Sequence, residues 1–190
     1  MTLSRDPKYF EKLYNDNPDP WDFQSSPYER GKYRATLAML NGRHFPRAFE
    51  IGCSIGVLTQ HLGAQCGHLL AVDVAAAALT TARNRCAGLP NVTFEKRQIP
   101  AQWPQTGPFD LILFSEILYF LNPADITSCA RLARQSLAPG GVILLVNYTG
   151  RIDEPCGGEE AAGIFLDAVP DLAPAATWRR ETYRMDLIQN

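Results

Sequence analysis

The stretch from Arg47 to Val57, RAFEIGCSIGV, constrains this chain more than any other. Apolar Ala48, Phe49 and Ile51 surround Glu50 and lead into Gly52, Ser54 and Gly56, which alternate with Cys53 and Ile55. Val57, Leu58 and Leu62 then open a helical pattern. The order is a strand, a turn of small residues and a helix N-terminus. Gly52 and Gly56 have no Cβ, so the backbone there can come close to a ligand. The next apolar run, LLAVD, ends on the carboxylate of Asp73. An acid at the end of a second strand, about 20 residues on, has the spacing of a group that holds the two hydroxyls of a ribose.

The remaining periodicity supports a sheet with helices on both faces. Strands are expected near 47–51, 68–73, 91–96, 109–115 and 141–148. Helices are expected between them near 55–64, 75–88 and 122–137, the last ended by Pro139-Gly140-Gly141. FDLILFS (109–115) is almost wholly apolar, as a central strand covered on both faces must be. A helix near 159–168 and two late strands near 175–181 and 183–188 complete the chain. This alternation argues an α/β, doubly wound, mostly parallel sheet. Ligands of such sheets sit at the carboxyl ends of the strands, where Gly52, Asp73 and Ser115 all fall.

Ahead of the first strand, residues 7–16 form a short amphipathic helix with Tyr9, Phe10, Leu13 and Tyr14 at helical spacing. NPDPWDFQSSPYER follows, irregular and aromatic, and reads either as a plug at the core edge or as a lid over a small-molecule site. Ser26 caps a helix with Pro27 in first position and Glu29 in its first turn, and Asn41-Gly42 stops it.

With 190 residues one domain is expected, 1–190. A net charge of -2 with no basic run gives no general pull towards nucleic acid or an anionic membrane surface. No apolar run reaches membrane-spanning length, and the N-terminus lacks a signal-peptide apolar core. The five cysteines (53, 66, 86, 129, 156) are widely spaced with no C-x-x-C, which disfavours disulfides and a metal site and suits a reducing cytoplasm. His44, His61 and His68 read as structural or solvent-facing.

A nicotinamide fingerprint would need glycines at 52, 54 and 57, but the chain has Gly52, Ser54 and Val57. A P-loop would need G-K-[ST] after the turn, and none is present. The pattern suits a nucleoside with a zwitterionic amino-acid tail, its sulfonium passing over the turn and its ribose reaching Asp73.

AFEIGCSIGVLTQHL, LLAVDV, PFDLILFSEILYFL and LAPGGVILLVNY together resemble the successive motifs of class I S-adenosylmethionine-dependent methyltransferases. DPWDFQSSPYERGKY and SEILYFL narrow the resemblance to the NodS-like branch, whose namesake N-methylates the amino sugar of a chitooligosaccharide. The resemblance implies a Rossmann-like seven-stranded sheet with the last strand antiparallel. It also implies an N-terminal helical lid (1–42) on a core (43–190). The implied cofactor is S-adenosyl-L-methionine, released as S-adenosyl-L-homocysteine. Glu50, Gly52, Ser54 and Gly56 would form the cofactor turn, Asp73 would bind the ribose and Val74 would flank the adenine. Gln98 would stand in for the family's usual adenine-binding acid, with Ile99 packed on the ring. Ser115 would offer its backbone to the amino-acid end. Ser54 replaces the usual middle glycine, which is tolerable with its backbone at negative φ.

An amine acceptor must lose a proton before it attacks. Glu116, directly after a buried strand, is the candidate base or ammonium-holding group; otherwise it is a helix-start carboxylate. Tyr119 is a candidate channel wall, or else a core tyrosine. Asn147 and Tyr148, at the end of the fifth strand, face the acceptor rim. Trp21 and Tyr28 would close over the cofactor, and Lys32 would pair with its carboxylate or else face outward. Trp21, Trp103 and Tyr148 are candidate sugar platforms, Trp103 alternatively anchoring its loop. The expected acceptor is a small molecule or glycan, with an amino group slightly preferred over a hydroxyl. An O-methyltransferase, a non-catalytic binding module and, distantly, a nicotinamide oxidoreductase are the alternatives.

Overall fold

A computed structural model of the chain describes residues 3–172 and 174–190. Two helices, α1 (Pro7–Asp16) and α2 (Pro27–Met39), precede the first strand. Strands β1 (Phe45–Ile51), β2 (Cys66–Asp73) and β3 (Val92–Lys96) then alternate with α3 (Val57–Leu62) and α4 (Ala76–Arg85). Next come β4 (Phe109–Ser115), a 3-10 turn (Leu118–Phe120), α5 (Pro123–Ser136), β5 (Leu137–Tyr148), α6 (Gly158–Asp167), β6 (Pro174–Arg179) and β7 (Tyr183–Gln189). The seven strands run in the order β3-β2-β1-β4-β5-β7-β6, and β7 is antiparallel to both of its neighbours. The doubly wound, mostly parallel sheet expected from the alternation is therefore the observed one.

The chain groups into two compact units, Asp6–Arg97 and a second made of residues up to Arg5 with Gln98–Asn190. In the first, β1 and β2 pair in parallel from Phe45↔Cys66 to Ile51↔Val72, so both open at the same edge, where Gly52 and Asp73 lie. Leu69, Leu70, Ala71 and Val72 are buried on β2, as are Phe49 and Ile51 on β1. Each large apolar side chain so covered contributes about 1.5–3 kcal/mol. The alanines of α4 allow close packing: Ala78 joins Tyr14, Ile55 and Ala75 in one cluster, and Leu79 joins Cys53 and Ala71 in another.

In the second unit β4 and β5 are parallel, with Ser115 opposite Val146. Leu111 to Phe114 and Ile143 to Leu145 are fully buried, which explains the uninterrupted apolar runs. Phe114 packs edge-on to Phe165 of α6 at 5.1 Å. Trp103 is buried and its indole N–H donates to Ser136 Oγ at 2.9 Å, so it anchors its loop and is no sugar platform. α5 ends at Ser136, as expected to within a residue, but the strand expected from 141 begins earlier. β5 starts at Leu137, paired with Phe109, and the Pro-Gly-Gly segment is absorbed as an irregularity before Val142 pairs with Leu111. Gly141 fits there because a Cβ would meet Ala138 O at 2.9 Å and Phe109 O at 3.0 Å.

All five cysteines are buried and free. His44, His61 and His68 are exposed. Among the described residues no helix is long and apolar enough to cross a membrane, and no group of three or more His, Cys, Asp or Glu could hold a metal ion.

Candidate active site

In the unit Asp6–Arg97 the turn after β1 is built from left-handed backbone. Gly52, Ser54 and Gly56 have φ of 82°, 49° and 79°. The condition under which serine replaces glycine cheaply at 54, a negative φ, is therefore not met. A side chain in this conformation costs about 1–2 kcal/mol, so something must hold it. Three contacts do. Ser54 N–H donates to Asp73 Oδ2 at 3.0 Å, Ser54 Oγ shares a 2.5 Å hydrogen bond with Tyr14 Oη, and Gly56 N–H donates to Cys53 O at 2.9 Å.

Gly56 is confined twice over. Beyond its positive φ, a Cβ would sit 3.0 Å from both Cα and Cβ of Ala82 on α4. Gly56→Ala is expected to destabilise the fold by about 2 kcal/mol, read as a fall in urea midpoint at unchanged slope. An unchanged midpoint would show that the turn relaxes freely.

Asp73 ends β2 partly exposed, with its other oxygen accepting the Ala75 N–H at 2.9 Å. Burial pushes its carboxyl up, and the N–H groups of Ala75, Ser54 and Val74 push it back down. One carboxylate thus braces the glycine turn and the first turn of α4 together. Val74 is half-exposed beside it. Glu50 is wholly buried on β1, and neither of its oxygens has a hydrogen-bond partner among the described residues. Burial raises its carboxyl to about 7, and the Asp73 charge adds to the rise. The Thr59 hydroxyl favours the charged form, although no hydrogen bond of ordinary geometry joins the two.

Sequence reasoning missed the part α1 plays. Tyr14 read as one more member of an apolar stripe, yet its hydroxyl reaches Ser54. Glu11, one helical turn earlier, accepts the N–H groups of Ala76 at 2.8 Å and Ala77 at 3.3 Å and meets Lys96 Nζ at 3.1 Å. These N–H groups hold the Glu11 carboxyl below its ordinary range. The available signal was negative: DVAAAA offers no Ser, Thr, Asp or Asn at the N-cap position, Ala75, so α4 needs a cap from elsewhere.

Trp21 and Tyr28 lie in the same unit, 38% and 40% exposed. Trp21 meets the Tyr14 ring edge-on at 5.8 Å. Lys32 does not face outward. It is buried, with Nζ donating to Glu29 Oε1 at 2.9 Å and 4.9 Å above the Tyr28 ring.

The second unit gathers the other candidates at the ends of β4 and β5. Ser115 and Glu116 are half-buried. Glu116 has φ 57° and its N–H donates to Val146 O at 2.9 Å. A non-glycine residue in this region directly after a buried strand is strain of the kind found at working sites. Tyr119 is buried and packs on Phe120 at 4.6 Å, so it lies nearer the core reading than the channel wall.

Asn147 is corrected: it is not on a rim but fully buried, with neither carboxamide atom partnered among the described residues. α6 covers it. Gly158 starts that helix so close to β5 that a Cβ would lie 1.8 Å from Tyr148 O and 3.4 Å from Asn147 Cβ. Tyr148 remains half-buried. Ile99 is buried and Gln98 exposed, its N–H donating to Gln102 Oε1 at 2.7 Å.

Ser4 and Arg5, absent from the sequence-based candidates, strap this unit. Ser4 Oγ donates to Asp125 Oδ2 at 2.5 Å, Arg5 N–H donates to Phe120 O at 2.8 Å, and Arg5 Nε donates to Glu154 Oε2 at 2.8 Å. The turn after Glu116 and the loop before α6 are thereby tied through one short segment.

Comparison with known proteins shows the family of the chain. A model of the family Nodulation protein S (NodS) matches residues 8–147. Nodulation protein S of Rhizobium tropici is 31% identical over 126 residues, 65% of this chain and 52% of that protein. That of Bradyrhizobium diazoefficiens is 26% identical over 163 residues, 81% of this chain and 76% of that protein. The match thus spans about half the length of the first relative and three quarters of the second. The N-methyltransferase NodS from Bradyrhizobium japonicum WM9, solved with S-adenosyl-L-homocysteine, superposes with a TM-score of 0.84 at 23% identity, covering 96% of this chain and 97% of that one. At that identity the likeness establishes the fold.

Proposed function

The chain belongs to the NodS family, and from that premise we propose that it is a single-domain, cytoplasmic S-adenosylmethionine-dependent methyltransferase acting on an amine of a small-molecule or glycan acceptor. The observation that supports it best is the turn itself. Three left-handed residues and a partly exposed Asp73, oriented by two N–H groups, offer backbone and a fixed carboxylate at the open end of β1 and β2. The buried, unpartnered Glu50 fits the same cofactor, since a carboxylate without a counter-charge suits a ligand that carries a sulfonium and an ammonium.

When bound, the cofactor supplies an activated methyl group for in-line displacement. Asp73 accepts from the ribose hydroxyls, and Val74 flanks the adenine. Gly52, Ser54 and Gly56 carry the amino-acid end, and Lys32, already paired with Glu29, adds a positive charge for its carboxylate. Trp21 and Tyr28 exclude water from above. Ser115 contributes backbone, and Glu116 takes the proton of the acceptor ammonium or holds the cation in place. Tyr148 borders the acceptor, while Tyr119 packs in the core against Phe120. Asn147 is a buried amide at the end of β5, able both to donate and to accept.

Stabilisation on heating by S-adenosylhomocysteine but not by NAD is the first test, and the reverse outcome sinks the reading. Methyl transfer to amino sugars, chitooligosaccharide amines and biogenic amines, with products read by mass, identifies the acceptor. Glu116→Gln is expected to lower turnover about tenfold or more while cofactor affinity stays within about twofold. Unchanged turnover would remove Glu116 from the chemistry.

A further inference from the structure

The hydroxyl of Tyr14 is buried, and its recorded polar contact is Ser54 Oγ at 2.5 Å. Its ring belongs to a buried cluster with Ile55, Ala75 and Ala78 and meets Trp21 edge-on. Burial keeps the phenol protonated far into the alkaline range, so it remains able to donate. Ser54 is the one non-glycine residue among the three left-handed positions of the turn, and its N–H is the one that orients Asp73 Oδ2. Glu11, three residues before Tyr14 and so on the same helix face, caps α4 beside Asp73's other partner, Ala75. α1 therefore grips both structures that Asp73 braces.

We propose that Tyr14 is a positioning residue for the cofactor: its hydroxyl holds Ser54 left-handed, which keeps the Ser54 N–H on Asp73 and the Asp73 carboxylate aimed at the ribose. The inference rests on the methyltransferase reading for its functional consequence, but not for its structural one. A glycine at position 54 would adopt the same backbone unaided. With serine there, the turn depends on a helix from outside the sheet, and cofactor affinity is tied to the docking of α1.

A double-mutant cycle tests this. Tyr14→Phe keeps the ring and removes the hydroxyl. It is expected to weaken S-adenosylhomocysteine binding about fivefold and to raise KM for the cofactor equally, with kcat at saturating cofactor within about twofold. Ser54→Ala removes the other partner. Tyr14→Phe added to it is expected to cost nothing further, because the two groups act as one. An unchanged affinity in Tyr14→Phe, or an equal loss in both backgrounds, overturns the proposal. Hydrogen exchange over residues 52–56 reads the hold on the turn with no ligand present. Tyr14→Phe is expected to speed it, and unchanged exchange overturns the proposal as well. Failure of the unsubstituted chain to bind S-adenosylhomocysteine would sink the methyltransferase reading, while exchange would still decide the role of Tyr14.

Discussion

Asp73→Ala is expected to weaken S-adenosylhomocysteine binding by about 100-fold or more. Two losses combine. The ribose hydroxyls lose a charged acceptor, worth about 1.5–3 kcal/mol. The Ser54 and Ala75 N–H groups lose the oxygens that hold them at 3.0 and 2.9 Å, so the turn and the start of α4 loosen together. About 2.7 kcal/mol already corresponds to 100-fold. Asp73→Asn separates the contributions. Its amide oxygen can take one N–H, but its NH2 group would face the other donor, so an intermediate loss is expected. Calorimetric titration with S-adenosylhomocysteine gives both numbers. An affinity for Asp73→Ala within a few-fold of the unsubstituted chain would remove Asp73 from the cofactor site.

The second large effect concerns pH. Glu50 titrates near 7 in the folded chain against an ordinary 4.5, because burial without a hydrogen-bond partner favours the neutral acid. Its charged neighbour is Asp73, and the thiols of Cys53, Cys66 and Cys86 feel it too. Below about pH 4.5 the acid is protonated whether the chain is folded or not, and it contributes nothing to pH dependence. Between there and about 7 the folded chain keeps a proton that the unfolded chain has released, so stability falls as pH rises. Above about 7 the loss is complete. Glu50→Gln removes this slope. Between pH 5 and 8 its stability should change by roughly 2–3 kcal/mol less than that of the unsubstituted chain. Urea unfolding of both forms at the two pH values measures the difference, and parallel pH profiles would refute the assignment.

Much of the cofactor side was legible before any coordinates. EIGCSIG and LLAVD are local patterns: strand, turn and carboxylate follow one another within 24 residues, and chain geometry leaves little freedom between them. The mostly parallel, doubly wound sheet follows from alternation, and the buried β4 and β5 announced themselves by apolar composition, whereas the strand order was set by tertiary pairing. What failed was of another kind. Serine at 54 reads as a mild change only at negative φ, the cheaper backbone for serine alone; the hydroxyl of Tyr14, 40 residues away, changes the balance. Asn147 looked like a rim residue because it ends a strand, but the start of α6 closes over it at Gly158. Lys32 had an outward reading because lysine is rarely buried, and Glu29 three residues earlier supplies the partner that makes burial tolerable.

By itself, then, the amino-acid order determined the elements, the strand ends that carry Gly52, Asp73, Ser115 and Glu116, and the class of ligand those ends suit. These depend on interactions within one or two turns of chain. Only the tertiary structure decided how the glycine turn is held, that α1 caps α4 and grips Ser54, and that Ser4 and Arg5 strap the loops near Glu116. A side-chain oxygen that reaches across 40 or more residues leaves no periodic trace in the sequence, because its partner is set by packing and not by spacing.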